Sequence, residues 1–295
     1  MPITAIHRYP VKSMLGESLA SCVVDSRGIP GDRAYAVVDA GTGTVASAKV
    51  PRRWSGLLDF SARYVAEPRP GEAPLPVEIT FPDGSVLRSD DPGIDEALSA
   101  ILGRPVRLTT ARPAEAHFEE VWPEIEGLAP QAVIDGTQVR REDTGEAVSR
   151  FDVAAMAPGS TAFFDLAVLH VLTGSTLDRL RELAPDATFD AQRYRPNLVL
   201  DGAPAGFAEN EWPGRTIAFD AGPRITVSIP TMRCVMTTLA QGDLPRDPVT
   251  LRTIAKHNRV DIPNLGTWAC AGVYADVTVA GEIAVGDDHR VEPVA

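Results

Sequence analysis

The sequence predicts a β-rich α+β protein arranged as two linked β-barrel-like domains with a few inserted helices. Three observations carry that expectation. Short runs of β-branched and aromatic residues recur along the whole chain, turn sequences separate them at close intervals, and only a few stretches show helical periodicity. The chain has 295 residues, 44% of them hydrophobic and 23% charged, which suffices for two modest domains with filled cores.

The first domain is expected over residues 1–115. Ile3–Tyr9, Ser21–Asp25, Ala34–Asp39, Leu57–Tyr64 and Val77–Phe81 read as strands, each mixing β-branched, aromatic and polar residues over strand-like lengths. Gly28-Ile29-Pro30-Gly31, Ala40-Gly41-Thr42-Gly43 and Pro82-Asp83-Gly84 read as the turns between them. Asp91-Pro92 opens a helix over Gly93–Leu102, and Gly103 closes it. Residues 116–150 read as a connector, because Pro113, Pro123 and Pro130 interrupt the pattern and Arg140-Arg141-Glu142-Asp143 reads as a solvated loop.

The second domain is expected over 151–295. Leu166–Leu172 is apolar, Ser175 or Thr176 caps a helix over Leu177–Leu183, and Pro185 ends it. Asn197–Asp201, Arg215–Phe219, Arg224–Ile229 and Cys234–Leu239 read as strands, and Pro248–Asn258 as a helix with proline in its first turn. Val273–Val279 and Glu282–Val285 flank Ala280-Gly281 as a closing hairpin.

Composition narrows the function. A formal charge of −12 repels a polyanion at long range, which argues against nucleic acid. No apolar run reaches the length of a membrane span, and the N-terminus lacks the basic-then-apolar pattern of a signal peptide, so a cytoplasmic protein is expected. Cys22, Cys234 and Cys270 stand far apart, without the spacing of a zinc or iron–sulfur site, and no disulfide framework is expected. His7, His117, His170, His257 and His289 show no ligand spacing. A thiol that matters in this chain matters singly.

Cys234 lies in Pro230-Thr231-Met232-Arg233-Cys234-Val235-Met236-Thr237-Thr238. An adjacent arginine can stabilise a thiolate, the form that ligates soft metals. Taken alone, a cysteine in such a run is more often a small buried residue, and that reading stays open at this point. Lys12-Ser13, Asp32-Arg33, Thr173-Gly174-Ser175-Thr176 and Arg195-Pro196-Asn197 all lie in turn contexts. Each suits an anionic phosphate, and each also serves as an ordinary turn, ion pair or cap.

Their joint order is the stronger signal. Tyr9-Pro10-Val11-Lys12-Ser13, Gly31-Asp32-Arg33, Arg195-Pro196-Asn197, Arg233-Cys234-x-x-Thr237-Thr238 and Gly272-Val273-Tyr274 followed by Val285-Gly286-Asp287 together resemble the MOSC family. The resemblance is to the branch of mitochondrial amidoxime-reducing proteins and their bacterial relatives, and it covers nearly the whole chain. It implies an N-terminal β-barrel domain, a MOSC domain and a molybdenum cofactor (molybdenum–molybdopterin). Cys234 would bind the metal and be the catalytic residue. Lys12, Ser13 and Arg33 would contact the pterin phosphate or its surroundings, and Ser175, Thr176, Arg195, Asn197, Arg233 and Tyr274 would line the cofactor site. A dithiolene for a soft metal and a dianionic phosphate for gathered cations match that residue set.

Two departures stand out. Ser47-Ala48-Lys49 replaces the Thr-Ala-Arg of many relatives, keeping the charge of Lys49 but not a guanidinium fork, and Met232 replaces a small polar residue. No ferredoxin-type cysteines follow Gly286-Asp287. The implied activity is reduction of small N-hydroxylated compounds, amidoximes or hydroxylamine-type bases, with electrons from a separate flavin or iron–sulfur reductase. The alternative is a cofactor-binding or sulfur-carrier protein without turnover of its own. Cys270, four residues before Tyr274, and Cys22 are expected to be spectators, and Trp54 beside Arg52-Arg53 is a candidate for the border of the site.

Overall fold

A computed structural model describes residues 1–113 and 115–293; residue 295, the expected limit of the second domain, lies outside the described residues. The first strands are β1 (Ile3–Arg8), β2 (Glu17–Leu19), β3 (Ser21–Val24) and β4 (Ala36–Asp39), followed by a short helix α1 (Pro51–Trp54). Next come β5 (Ser61–Tyr64), β6 (Val77–Thr80), β7 (Val86–Arg88), α2 (Ile94–Leu102) and β8 (Val106–Thr109). The middle of the chain forms β9 (His117–Trp122), α3 (Gln131–Thr137), β10 (Gln138–Arg141), β11 (Ala147–Asp152) and α4 (Val153–Met156). The remainder is β12 (Leu169–Thr173), α5 (Gly174–Leu183), β13 (Leu198–Leu200), β14 (Thr216–Phe219), β15 (Arg224–Met232), α6 (Val249–His257), β16 (Arg259–Ile262), β17 (Gly266–Val279), β18 (Gly281–Ala284) and β19 (His289–Glu292).

The protein is a sheet-rich α+β fold, as expected, but among the described residues no sheet closes into a barrel. One nine-stranded sheet runs β19-β14-β15-β17-β12-β13-β1-β2, with β16 added to β17. Strand β1 from the start of the chain thus pairs with β13 near residue 200, and β3 pairs with β18. Alternation places the cores on the two faces of this sheet. Leu169, Val171, Val273 and Ala275 point to one cluster with Ile3, Ile6 and Leu198. Leu172, Ala269 and Ala271 point to the other with Leu177, Leu180, Ile254 and Trp268. A separate cluster of Val11, Met14, Val37, Leu57, Phe60, Ile79 and Leu98 fills the N-terminal half.

Helix α2 matches its expectation down to Gly103, whose φ of 67° is the left-handed closure that glycine adopts cheaply. Helix α5 begins earlier than expected, because Thr173 and not Ser175 or Thr176 is the N-cap, its side chain accepting from the Thr176 amide. Cys234–Leu239 is not a strand: Cys234 is extended and Val235–Thr238 is a 3-10 turn. The closing hairpin is also corrected. Past Val279 the chain leaves the large sheet, and Gly281–Ala284 pairs with β3 instead of turning back on β17.

The segment read as a connector is folded. Strands β10, β11 and β9 form a three-stranded antiparallel sheet, and α3 packs on β11. Its pattern was hidden because β9 is buried on both faces while carrying Glu119 and Glu120. Glu119 accepts from Arg140 at 2.7 Å, Arg150 at 3.3 Å and Arg53 at 3.5 Å, so Arg140 is an ion-pair partner and not part of a free loop. Burial opposes the Glu119 charge, but the three arginines, Arg140 foremost, outweigh it and hold the carboxyl below the usual glutamate range. Its contribution is therefore complete above about pH 5 and is lost as pH falls through the lower folded value. Glu119→Gln should destabilise the fold by about 1–3 kcal/mol at neutral pH, less than for a fully buried pair because the arginines keep partial hydration. Urea unfolding checks this, and the deficit should shrink toward pH 3.

Candidate functional site

One cavity collects side chains from both ends of the chain. It is lined by Lys12 and Ser13 from the loop after β1, Arg33 from the loop before β4, and Lys49 from the turn before α1. The later half supplies Phe163–Ala167 ahead of β12, His170 on β12, Arg193–Arg195 and Asn197 ahead of β13, Met232–Cys234 at the end of β15, and Tyr274 on β17. The pairing of β1 with β13 and of β12 with β17 brings these distant segments to one place.

Local conformation marks the same place. Among the described residues four that are not glycine have positive φ, and three of them, Ser13 (66°), Arg33 (50°) and Arg195 (55°), line the cavity. A left-handed L-residue costs roughly 1–2 kcal/mol, so strain concentrated here points to a function beyond packing. Gly272, with φ of 82°, is required by contact: a Cβ there would lie 2.4 Å from His170 Nε2.

A charge ledger separates the cations. Lys12 donates to the Phe163 carbonyl at 2.9 Å and pairs with Asp165. Lys49 pairs with Glu120 at 3.1 Å and Asp165 at 3.3 Å. Burial pushes Lys12 below the ordinary lysine range against the pull of Asp165. At Lys49 burial acts the same way, but Asp165 and Glu120 together hold it well above that range. Asp165 is held ionised: burial alone would raise it, and the two ammonium groups lower it far more. Arg33 pairs with Asp32, whose carboxylate also accepts from the Tyr9 amide at 2.7 Å and from Asn197 Nδ2 at 2.9 Å.

Two cations remain. Among the described residues, neither Arg195 nor Arg233 makes a salt bridge. Arg195 donates Nη1 to the Met14 carbonyl at 2.6 Å and stacks 4.2 Å from the Tyr9 ring centroid, where Arg33 also stacks at 4.4 Å. Burial, reinforced by Arg33, pushes Arg195 down to about 10. Arg233 donates Nη2 to the Tyr194 carbonyl at 3.0 Å, while its buried Nε has no partner. His170 Nε2 lies 3.5 Å from Arg233 Nη1, and burial, then Arg233 and Arg33, hold this imidazole well below its ordinary range, hence neutral near pH 7.

Cys234 is half-buried on the wall, partly packed against Ala48, Leu58, Met236 and Leu239. The expectation of a lowered thiol pKa is corrected. Lys49 and Arg233 do pull it down, but burial outweighs them and raises it. The thiol is therefore protonated near neutrality until a ligand with its own positive centre displaces the proton.

Of the residues read from sequence, Lys12, Ser13, Arg33, Lys49, Arg195, Asn197, Arg233, Cys234 and Tyr274 line the cavity. Ser175 and Thr176 do not. Ser175 Oγ bonds Thr173 Oγ1, which also reaches the buried Glu209 at 2.6 Å, so this hydroxyl cluster serves the start of α5. Asn197 acts as a clamp: Nδ2 reaches the His7 carbonyl and Asp32, and Oδ1 accepts from the His170 amide. Trp54 is core, with Arg104 4.7 Å from its ring centroid. Cys22 and Cys270 are buried away from the cavity, and burial raises both thiols to about 12. Sequence reasoning missed Asp165, Glu120, His170 and Tyr194. A lone Asp in an apolar segment and a Glu in a strand carry no pattern; only the unmatched cations hinted at them.

The donor set is specific about its ligand. Among the described residues, no group of three His, Cys, Asp or Glu side chains could hold an ion alone. A single thiol beside Arg195 and Arg233, which lack carboxylate partners and, unlike Arg193, are not ringed by carbonyls, fits a metal whose remaining ligands belong to an anionic organic molecule.

The family model described as the MOSC domain matches residues 158–290, and that of the MOSC N-terminal beta barrel domain matches residues 1–57. No curated protein matches the chain. Among solved structures, the YUAD protein from Bacillus subtilis is similar at 11% identity and a TM-score of 0.45, over 98% of this chain and 94% of that one. With its Arg-Cys wall set in the first of these matches and its Lys12-Ser13 and Arg33 loops in the second, the chain belongs to the MOSC family.

Proposed function

We propose that this protein holds a molybdenum–pterin cofactor through Cys234 and reduces small N-hydroxylated compounds with electrons from a separate flavin or iron–sulfur reductase. MOSC domains are associated with the molybdenum cofactor. The observation that carries the reading is the unmatched pair Arg195 and Arg233 beside a single accessible thiol. A phosphate dianion would balance two guanidiniums, and the unpartnered Arg233 Nε is a donor in want of an acceptor. The cavity has a volume of about 90 Å³ and opens to solvent.

When bound, the cofactor supplies a two-electron redox centre that can accept oxygen. The overall reaction balances as N–OH plus two electrons and two protons giving N–H and water. Protein groups serve the proton side. Lys49 is held protonated by Asp165 and Glu120, and Tyr274 is raised to about 12 by burial and Asp165, so both donate hydrogen bonds at neutral pH. Neutral His170 sets the position of Arg233 without adding charge.

Among the described residues no helix is long and apolar enough to cross a membrane, and a cytoplasmic location is proposed on that footing with the acidic composition. The test is turnover. Protein expressed in a host that makes the cofactor should reduce an amidoxime to its amidine with a chemically reduced dye as donor. Bound molybdenum without any turnover would favour the carrier role instead.

A further inference from the structure

A second chamber of about 230 Å³ adjoins the first, and Lys49, Asp165, Leu166, Met232, Arg233 and Tyr274 line both. Beyond that shared wall its surface is almost entirely apolar. Phe118 and Trp122 come from β9, Phe151 from β11, Val133 from α3, and Trp268 from β17. Trp122 and Trp268 meet with ring centroids 5.9 Å apart at 52°, leaving aromatic edges and faces toward the space. The one carboxylate outside the shared wall is Glu120, whose Oε2 accepts from Lys49 Nζ and which has no further side-chain hydrogen bond among the described residues.

We propose that this chamber seats a flat aromatic body of the substrate, its N-hydroxylated group directed through the shared wall toward Cys234. Val133, Trp122 and Trp268 then set the preference for substrate shape. The inference rests on the reductase reading for the identity of that group, but the chamber itself is argued from its own residues. Aromatic walls favour a planar guest through ring–ring contacts in addition to area burial. Polar groups confined to one side fix which end of the guest faces the cavity. Glu120 on that side accepts from the N–H groups of an amidoxime or amidine, neutral or cationic. Phe118, Glu120, Trp122 and Val133 of this wall come from residues 116–150, the stretch whose sequence pattern reads as a connector, and Phe151 and Met156 lie just beyond it.

The test compares ligands that share a head group. Benzamidoxime and acetamidoxime differ only in the ring, and benzamidine carries the ring with no N–O bond to reduce. Titrated against the cofactor-loaded protein by calorimetry and tryptophan fluorescence, benzamidoxime and benzamidine should each bind about tenfold or more tighter than acetamidoxime. Val133→Trp, which fills the chamber from α3, should erase that advantage and leave acetamidoxime unchanged. Met156→Trp fills it from α4 and serves if the first variant fails to melt cooperatively. Equal binding of the ring-bearing and ringless probes to the native protein overturns the proposal, and so does ring binding that ignores both filled variants. Ring-selective, Val133-sensitive binding with no reduction upholds the chamber and sinks the reductase reading. Reduction of both amidoximes at equal kcat/KM does the reverse.

Discussion

Cys234→Ala is expected to bring bound molybdenum to background and abolish amidoxime reduction, while changing thermal stability by less than about 1 kcal/mol. The asymmetry follows from how the side chain is placed. Cys234 is half-buried and packs partly against the small cluster of Ala48, Leu58, Met236 and Leu239. Truncating it removes one partly packed sulfur, and the neighbouring turn is held by backbone and threonine hydroxyls that the change leaves alone. The donor role proposed for it has no substitute, because no other thiol, and no cluster of carboxylates or imidazoles, faces the cavity among the described residues. Cys234→Ser should behave like alanine, since a hydroxyl is a hard, weakly acidic ligand where a soft thiolate is needed.

Cys270→Ala makes the opposite comparison. That residue is fully buried in the helix-side core, so its loss should cost roughly 1–2 kcal/mol in stability and leave metal content unchanged. Elemental analysis together with thermal melting of the two variants reads both effects. Full molybdenum content in Cys234→Ala would remove the thiolate from the proposal.

How far the sequence reaches can be seen from these same residues. Lys12-Ser13, Arg33, Arg195 and Arg233-Cys234 were legible through the joint order of their motifs, which resembles the MOSC family, while each alone reads equally as a turn, an ion pair or a buried thiol, and the structure brings them to one cavity. What those cations do in the folded protein was not legible. Lys12 and Lys49 are already matched by Asp165 and Glu120, far along the chain, and such distant pairing leaves no local trace, whereas the Arg33–Asp32 pair joins chain neighbours and could be read as an ion pair from sequence. The same reason hid β9, whose buried glutamates break the apolar pattern a doubly covered strand normally shows. Barrel closure failed as an expectation for a related cause. Period-two alternation reports a covered face, but which strand β1 or β18 will join is settled by packing far away in sequence, with β13 and β3 as the outcome.

Asp165→Asn should separate stability from ligand affinity, moving them in opposite directions. Asp165 stands between two ammonium groups, paired with Lys12 on one oxygen and 3.3 Å from Lys49 on the other. Its removal leaves Lys12 without a carboxylate and Lys49 with Glu120 alone, which should cost about 2–3 kcal/mol, the lower part of the range for a broken buried pair because the Asp165 side chain is 33% exposed. The pH dependence has a definite sign. A carboxyl held far below its unfolded value contributes stability that is complete above about pH 5 and fades as acid reaches the folded value. The deficit of the variant should therefore be largest near neutrality and narrow in acid. Affinity for an anion runs the other way. With the internal counterion gone, Lys12 and Lys49 add their charges to those of Arg195 and Arg233, so inorganic phosphate should raise the melting temperature of the variant more than that of the native protein. That extra gain should weaken as salt is added. A variant that is both less stable and no better at binding phosphate would mean that Lys12 and Lys49 do not face the anion, and the cationic half of the cofactor site would then reduce to the two arginines.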